Sequence, residues 1–588
     1  MPARTPGDRL RQQWEKARQL LADGHLFRAR NLVDELLERH PGEVNVLRLA
    51  AQVAEAEAKP DRALELLVEA AKREPTHVPT LDAIGRIALG LDRLDVAQEA
   101  LEHAAAANPT DPSRHRKLAE VYRLQGNLND AYAHLRIAVT LDASDLRSLE
   151  LLAAVLNQRD DLEGALSMYE RMLELDAEHP VAMANASHVL EALGRQDEAR
   201  AMLERAAEVD PGNPGVAYYA KDLEVFAAGD PRIEMMVALL DRESLDAERR
   251  TLAGLSAAKM LADAGDLARA ADCARQANDL YTRLLHRRRQ AYSPERETQL
   301  FSLLRATATD ELVARAPAAP VGPVPILLAG LPRSGKSLLE ARLTRHPAVA
   351  DLGEAPLAVA LQKVVEEVGG GRFPQVLVGL DDAQRRTIQT RFNDIVASRI
   401  GHDRPEIRAV TTTHPATFLL LQTIAAVDPR TVLVHCDRDP RDLLLACYLA
   451  WIPTGHEFTY SPAGLAHRYR LLEAFYGHWA QLLGPRFVTS SYEDLVRGPE
   501  EVVARVLAAA GVQDPQLAGE VALDEVAAVA ASPTARPDPS QPLHRAHVGI
   551  SEGWREHLPE LFAAIDAPAV IDLTTPGGRL VWRADPRP

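Results

Sequence analysis

A repeat of 34 residues runs through the first third of the chain and restricts the fold more than any other feature. Small or apolar residues return at this interval in three series, which are Ala17, Ala51, Gly85, Ala119, Ala153 and Ser187; Ala29, Ala63, Ala97, Ala131, Ala165 and Ala199; and Leu36, Ala70, Ala104, Ala138, Met172 and Ala206. Residues of this kind at this spacing let the two helices of each unit approach closely. Proline cannot continue a helix, and it closes four of the six units, at Pro41, Pro75, Pro109 and Pro211.

This pattern resembles tetratricopeptide (TPR) repeats. The resemblance implies an all-α solenoid of about six repeats over residues 1–215, with a concave groove that binds a protein or peptide partner. A purely structural or dimerising role of the solenoid is the alternative. Residues 261–270 resemble one more repeat turn out of register, so residues 216–315 are expected to form a TPR-like helical connector.

A proline-rich break separates this helical part from a different pattern. The run APAAPVGPVP spans residues 316–325, and short β-branched segments alternate with helices after it. The sequence therefore predicts a multidomain chain in which residues 316–588 form an α/β domain.

One motif in that domain carries the chemistry. An apolar run at 325–329 predicts a buried parallel strand, and it leads into the loop GLPRSGKS at 330–337 and then into a helix. The loop satisfies G-x-x-x-x-G-K-[ST], the Walker A pattern. Backbone N–H groups and the positive end of a helix dipole converge in such a turn, which predicts a site for a phosphate group.

Four ordered segments between residues 325 and 560 resemble those of sulfotransferases. They are the loop Pro332-Arg333-Ser334-Gly335-Lys336-Ser337 with His346-Pro347 and Gly353-Glu354 behind it, the stretch 432–442, Tyr492-Glu493-Asp494-Leu495, and Gln541-Pro542 with Gly549 and Trp554. The chain thus resembles a TPR solenoid fused to a sulfotransferase. The resemblance implies a P-loop-type α/β domain with a central parallel sheet. It also implies transfer of a sulfuryl group from 3′-phosphoadenosine-5′-phosphosulfate (PAPS) to a hydroxyl or amine acceptor. The acceptor group would belong to a protein or peptide that the TPR groove binds and presents.

The same resemblance assigns roles to individual residues. The 5′-phosphosulfate would be held by Arg333, Ser334, Gly335, Lys336, Ser337 and Leu338. Arg438 would hold the 3′-phosphate, for which the guanidinium fork is suited. Glu354 would accept the proton of the acceptor hydroxyl, and Lys336 and Arg333 would act beside it on the transferring group. No metal is assigned.

Three positions depart from the sulfotransferase pattern. Thr413 stands where relatives have a lysine that touches the sulfuryl group, Ala446 replaces a serine near the 3′-phosphate, and Lys336 replaces a threonine. One account is that Lys336 takes over from the lost lysine. The other is that the domain binds ATP or GTP with Mg²⁺, as a P-loop kinase or as part of a TPR adaptor or scaffold. In that account Asp437 is a candidate Mg²⁺ ligand.

Charge and composition limit the partners and the compartment. The formal net charge of −17 argues against nucleic acid or an anionic membrane as a partner. No apolar stretch approaches 18 residues and no secretory signal is apparent, while three scattered cysteines do not suggest a disulfide framework. A cytoplasmic protein is expected. His435, His456 and His467 lack metal-ligand spacing and are expected to be structural or surface residues.

Overall fold

The structure, a computed structural model, contains two compact units, Met1–Val216 and Ala217–Pro588. It describes residues 6–91, 93–125, 127–159, 161–193, 195–222, 224–316, 320–352, 357–401, 404–452, 455–512, 548–574 and 579–582.

The described part of the first unit is all helical. Its helices follow one another as hairpins: α1 (Pro6–Ala22), α2 (Leu26–Arg39), α3 (Val44–Ala56), α4 (Pro60–Arg73), α5 (Val78–Gly90), α6 (Leu94–Ala107), α7 (Pro112–Leu124), α8 (Leu128–Leu141), α9 (Leu146–Gln158), α10 (Leu162–Leu175), α11 (Pro180–Ala192) and α12 (Gln196–Val209). Each helix from α4 to α12 begins 34 residues after the helix two places before it. The predicted solenoid of helical pairs is confirmed.

The repeated residues form the contacts within and between these hairpins. Residues of all three series are buried, and Ala29, Ala63, Ala97 and Ala131 have no exposed surface. The approach is closest at Gly85, where an added Cβ would lie 2.5 Å from Cγ of Leu101 on the next helix. At Gly85 a larger side chain therefore does not fit, and the other positions of the three series are filled by buried side chains.

We expect Ala131→Leu to lower the free energy of unfolding by about 1–3 kcal/mol, because the added atoms enter a filled interior. Ala133 is exposed on the same helix, and Ala133→Leu should change stability by less than about 0.5 kcal/mol. Urea denaturation of the full chain measures both values. Equal effects of the two substitutions would contradict this packing.

The second unit begins with helices that share a core with the sheet. They are α13 (Pro214–Ala220), which crosses the unit boundary, α14 (Pro231–Asp241), α15 (Ala247–Asp263), α16 (Leu267–Arg287), α17 (Pro294–Thr307) and α18 (Asp310–Ala314). On α17, the ring of Phe301 stacks on Phe418 at 5.0 Å and meets Phe475 edge-on at 5.2 Å. Most of the stretch predicted as a connector therefore packs as part of the sheet-containing unit.

A five-stranded parallel sheet forms the centre of this unit. Its strands are β1 (Val324–Ala329), β2 (Val349–Asp351), β3 (Ala409–Thr412), β4 (Val432–Asp437) and β5 (Phe487–Ser491), in the spatial order β2-β3-β1-β4-β5. All six residues of β1 are buried, as expected for a strand covered by helices on both faces. The predicted α/β fold with a parallel sheet is confirmed.

The remaining elements cover the sheet or follow it. They are α19 (Lys336–Leu343), α20 (Leu357–Gly369), α21 (Asp382–Ile400), α22 (Thr417–Val427), α23 (Pro440–Tyr448), α24 (Pro462–Leu483), α25 (Tyr492–Arg497), α26 (Pro499–Ala509), α27 (Pro559–Asp566) and the antiparallel pair β6 (Ala569–Asp572) and β7 (Arg579–Trp582). After β1 the chain continues to the edge strand β2, and β3 then lies between β2 and β1. The following strand, β4, lies on the other side of β1. Loops at the carboxyl ends of β1 and β4 therefore lie at a switch in strand order, where open α/β sheets bind ligands.

Candidate functional site

The loop after β1 has an unusual backbone where it turns into α19. Gly335 has φ +92° and caps α19, so the N–H groups that begin this helix border the loop. Arg333 has φ +68°, a conformation that residues other than glycine seldom adopt. Ser334 Oγ is buried and makes no hydrogen bond to any residue that the structure describes. Strained backbone and an unsatisfied buried hydroxyl in one loop are features of binding sites.

Gly330 lets this loop approach β4. Its φ is +146°, and a Cβ at this position would lie 2.3 Å from the backbone oxygen of Cys436. Only glycine fits so close to a fixed carbonyl group. The close approach holds the loop beside the carboxyl end of β4, where Arg438 follows.

Lys336 is the first residue of α19, and its side chain folds over the loop. Nζ donates hydrogen bonds to the carbonyl oxygens of Gly330, at 2.9 Å, and Leu331, at 2.8 Å. An ammonium group in this position adds positive charge directly to the loop.

Arg438 contacts the same loop from β4. It is 4% exposed, and Nη1 donates a hydrogen bond to the Arg333 carbonyl oxygen at 3.3 Å. Its guanidinium lies over the ring of Tyr492, 4.8 Å from the centroid. Two segments assigned to opposite ends of PAPS, more than 100 residues apart in sequence, are thus in direct contact.

A buried thiol, that of Cys447, lies beside this basic cluster. Its Sγ donates a hydrogen bond to the Pro332 carbonyl oxygen at 3.2 Å. Burial raises the pKa of the thiol to about 12, while the positive charges of Arg333, Lys336 and Arg438 oppose that shift. Three cations assigned from sequence therefore lie near one buried side chain. In a protein of net charge −17 they concentrate positive charge in one place.

The position of the missing lysine faces a carboxylate. Thr413 donates a hydrogen bond to one oxygen of Glu340 at 3.2 Å, and Thr411 donates to the other at 2.9 Å. Glu340 lies one helical turn after Lys336 on α19, so the two side chains share a face of that helix. No role was predicted for Glu340, and its only sequence signal is this four-residue spacing from Lys336.

Two further assignments from the sequence concern Glu354 and the C-terminal segment that contains Gln541-Pro542 and Gly549. Glu354, the expected proton acceptor, and Gln541-Pro542 lie outside the described residues. Gly549 is described, and its N–H donates a hydrogen bond to the carboxylate of Asp442 at 2.5 Å, with Ser551 N–H donating at 2.9 Å. Asp442 lies in the first turn of α23, four residues after Arg438, so the segment that resembles the sulfotransferase C-terminus packs beside this site.

Tyr492 is a site residue to which the sequence assigned no role. Besides supporting Arg438, its ring would contact a Cβ at Gly335, at 3.0 Å. Tyr492 begins the Y-E-D-L segment after β5, which runs parallel to β4. The segment is recognisable in the sequence, but its contact with both binding loops depends on the strand order.

Comparison with protein families agrees with this architecture. The model of the sulfotransferase family matches residues 325–516, and a tetratricopeptide repeat model matches residues 156–220. Residues 325–516 thus resemble sulfotransferases and residues 156–220 resemble TPR repeats, as the sequence motifs predicted. The sulfotransferase-family match begins in β1 and includes the 330–336 loop, Arg438 and Tyr492.

Individual proteins that match this chain have low sequence identity to it. An uncharacterized protein of Aquifex aeolicus (strain VF5) is 24% identical over 307 residues, which cover 50% of this chain and 39% of that protein. This chain thus matches only about two fifths of that relative's length. Among solved structures, MamA from Desulfovibrio magneticus RS-1 is 19% identical, with 30% of this chain and 99% of MamA covered and a TM-score of 0.28. YrrB, described as a TPR protein with an unusual peptide-binding site, is also 19% identical, with coverages of 32% and 97% and a TM-score of 0.29.

In the described ranges, no helix is both long and apolar enough to cross a lipid bilayer.

Proposed function

We propose that this protein is a sulfotransferase with a TPR solenoid, which transfers a sulfuryl group from PAPS to a hydroxyl or amine acceptor. The observation that carries the proposal is the hydrogen bond from Arg438 to the Arg333 carbonyl oxygen, which joins the two segments assigned to the donor's two anionic ends. PAPS would supply the activated sulfuryl group. The unsatisfied Ser334 hydroxyl and the confined Gly330 backbone are consistent with an anion in this loop.

Each residue of the loop has a defined role in this proposal. The backbone at the start of α19, together with Ser334, Ser337 and Leu338, binds the 5′-phosphosulfate, and Arg438 holds the 3′-phosphate. Arg333 and Lys336 stabilise negative charge as the sulfuryl group leaves. Lys336 thereby replaces the lysine that is absent at position 413. Glu354 remains the proposed proton acceptor.

A nucleotide-binding function is the second candidate, and Lys336 is the observation that favours it. Its ammonium lies on the loop as a Walker A lysine would, and that lysine contacts β- and γ-phosphates in ATPases and GTPases. Asp437, the proposed Mg²⁺ ligand of this account, lies on the same face of β4 as Leu433, which faces α24. Leu339 of α19 packs on the other face, with Val434. This arrangement separates Asp437 from the helix that carries Lys336.

Calorimetric titration of the full chain distinguishes the two functions. We expect micromolar binding of adenosine 3′,5′-bisphosphate and no response to ATP or GTP with Mg²⁺. ATP binding that is lost in Lys336→Ala, with no bisphosphate binding, would instead support the nucleotide-binding account. If the bisphosphate binds but sulfur-labelled PAPS transfers no label to any acceptor pool, a TPR adaptor on a sulfotransferase fold becomes the better description.

The proposal extends to the source of the acceptor group and to the cellular compartment. We propose that the solenoid groove binds a protein or peptide partner and presents its acceptor group. The three cysteines are free and buried, which suits the reducing cytoplasm.

A further inference from the structure

Three potential metal ligands converge on the side of the sheet that α24 covers. His435 and Asp437 are two residues apart on β4, so both side chains lie on the same face of the strand. Glu473 of α24 faces them, and one ligand atom from each of the three residues lies within 4.8 Å of the others. The His435 ring packs against Tyr476, one turn along α24, at 4.9 Å.

The spacing of these atoms matches a tetrahedral metal site. Nε2 of His435 and Oε1 of Glu473 are 3.3 Å apart. Zinc bonds of about 2.0–2.2 Å to nitrogen and oxygen place neighbouring ligand atoms of a tetrahedron about 3.3–3.5 Å apart. The separation of these two atoms therefore fits two neighbouring ligands of one ion, and a carboxylate oxygen of Asp437 lies within 4.8 Å of both.

The charge at this position also suits a cation. Asp437 and Glu473 bring two carboxylates together, and in the part of the chain that the structure describes neither forms an ion pair with lysine or arginine. The only charged-group contact that either makes there is with the His435 ring, and Asp437 otherwise accepts the Arg438 N–H at 2.8 Å. Asp437 is half-buried and the side chain of Glu473 is 40% exposed, so the two carboxylates are only partly solvated.

We propose that His435, Asp437 and Glu473 bind one divalent transition-metal ion, with Zn²⁺ as the representative ion. An imidazole with two carboxylates favours Zn²⁺ or a similar ion over Mg²⁺ and Ca²⁺, which prefer oxygen ligands alone. Glu473 is 40% exposed, which leaves the fourth position open to solvent. The ion would join α24 to the end of β4, one residue before Arg438, and this role is independent of sulfuryl transfer.

Metal titration of the full chain tests the site. The protein carries no polyhistidine tag, is stripped with a chelator, and is titrated with Zn²⁺ by calorimetry and with Co²⁺ by visible absorption. We expect one equivalent of each to bind, with the intense d–d bands of four-coordinate Co²⁺. Asp437→Asn and Glu473→Gln preserve shape and should each weaken binding at least about tenfold. Glu493→Gln is the matched control, because Glu493 accepts the Asp439 N–H nearby and is not one of the three ligands.

Circular dichroism confirms that each variant is folded before titration. Absence of stoichiometric Zn²⁺ binding to the wild-type chain would overturn the proposal, as would unchanged binding in the Asp437→Asn/Glu473→Gln double variant. A response to Mg²⁺ without a response to Zn²⁺ or Co²⁺ would also overturn it.

Discussion

Arg438→Ala should weaken binding of adenosine 3′,5′-bisphosphate by about tenfold to a hundredfold. Hydrogen bonds to a charged partner contribute about 1.5–3 kcal/mol, and the substitution removes the only guanidinium assigned to the 3′-phosphate. It also removes the contact with the Arg333 carbonyl oxygen, which holds the 330–336 loop against β4. Calorimetric titration of the variant measures the loss directly.

Two further variants make this result specific. Arg441 lies three residues later, in the first turn of α23, and pairs with Asp566 at 2.9 Å, so Arg441→Ala should leave the affinity unchanged. Arg438→Lys keeps the charge without the fork and should recover part of the affinity. Arg438 is buried over Tyr492, so the thermal midpoint of each variant is compared with that of the wild type. Wild-type affinity in a folded Arg438→Ala variant would remove this residue from the site.

Gly330→Ala should destabilise the protein by about 3 kcal/mol and reduce bisphosphate binding at least about tenfold. At φ +146° a side chain is strained, and its Cβ would lie 2.3 Å from the Cys436 backbone oxygen. That oxygen belongs to a central strand and cannot move without breaking the sheet. The displaced loop would also lose the Gly330 carbonyl as an acceptor for Lys336. Urea denaturation and calorimetry measure the two effects.

Gly477→Ala is the control for this substitution. Gly477 is exposed in α24 and an added Cβ meets no atom within 4 Å, so alanine should stabilise the helix by about 0.5–1 kcal/mol. A Gly330→Ala variant that matched the wild type in both stability and affinity would show that the loop does not need its close approach to β4.

The sequence by itself determined the features that depend on local spacing. Periodicity predicted the helical pairs, because residues 34 apart occupy the same place in successive hairpins, as Ala97 and Ala131 do. The apolar run and the GKS turn predicted β1, its loop and the start of α19, because a glycine-rich turn between a strand and a helix permits few conformations. The basic residues Arg333, Lys336 and Arg438 were also identified from their motifs.

Tertiary structure alone decided which distant residues meet. Strand order places β1 between β3 and β4, and only this order brings Arg438 to the Arg333 carbonyl oxygen. Glu340 of α19 meets Thr413, which follows the carboxyl end of β3, 73 residues away in sequence. His435 and Asp437 acquire Glu473 because α24 covers their face of β4. Such contacts depend on strand pairing and helix packing across long sequence separations, whereas spacing along the chain fixes only the neighbours within one element.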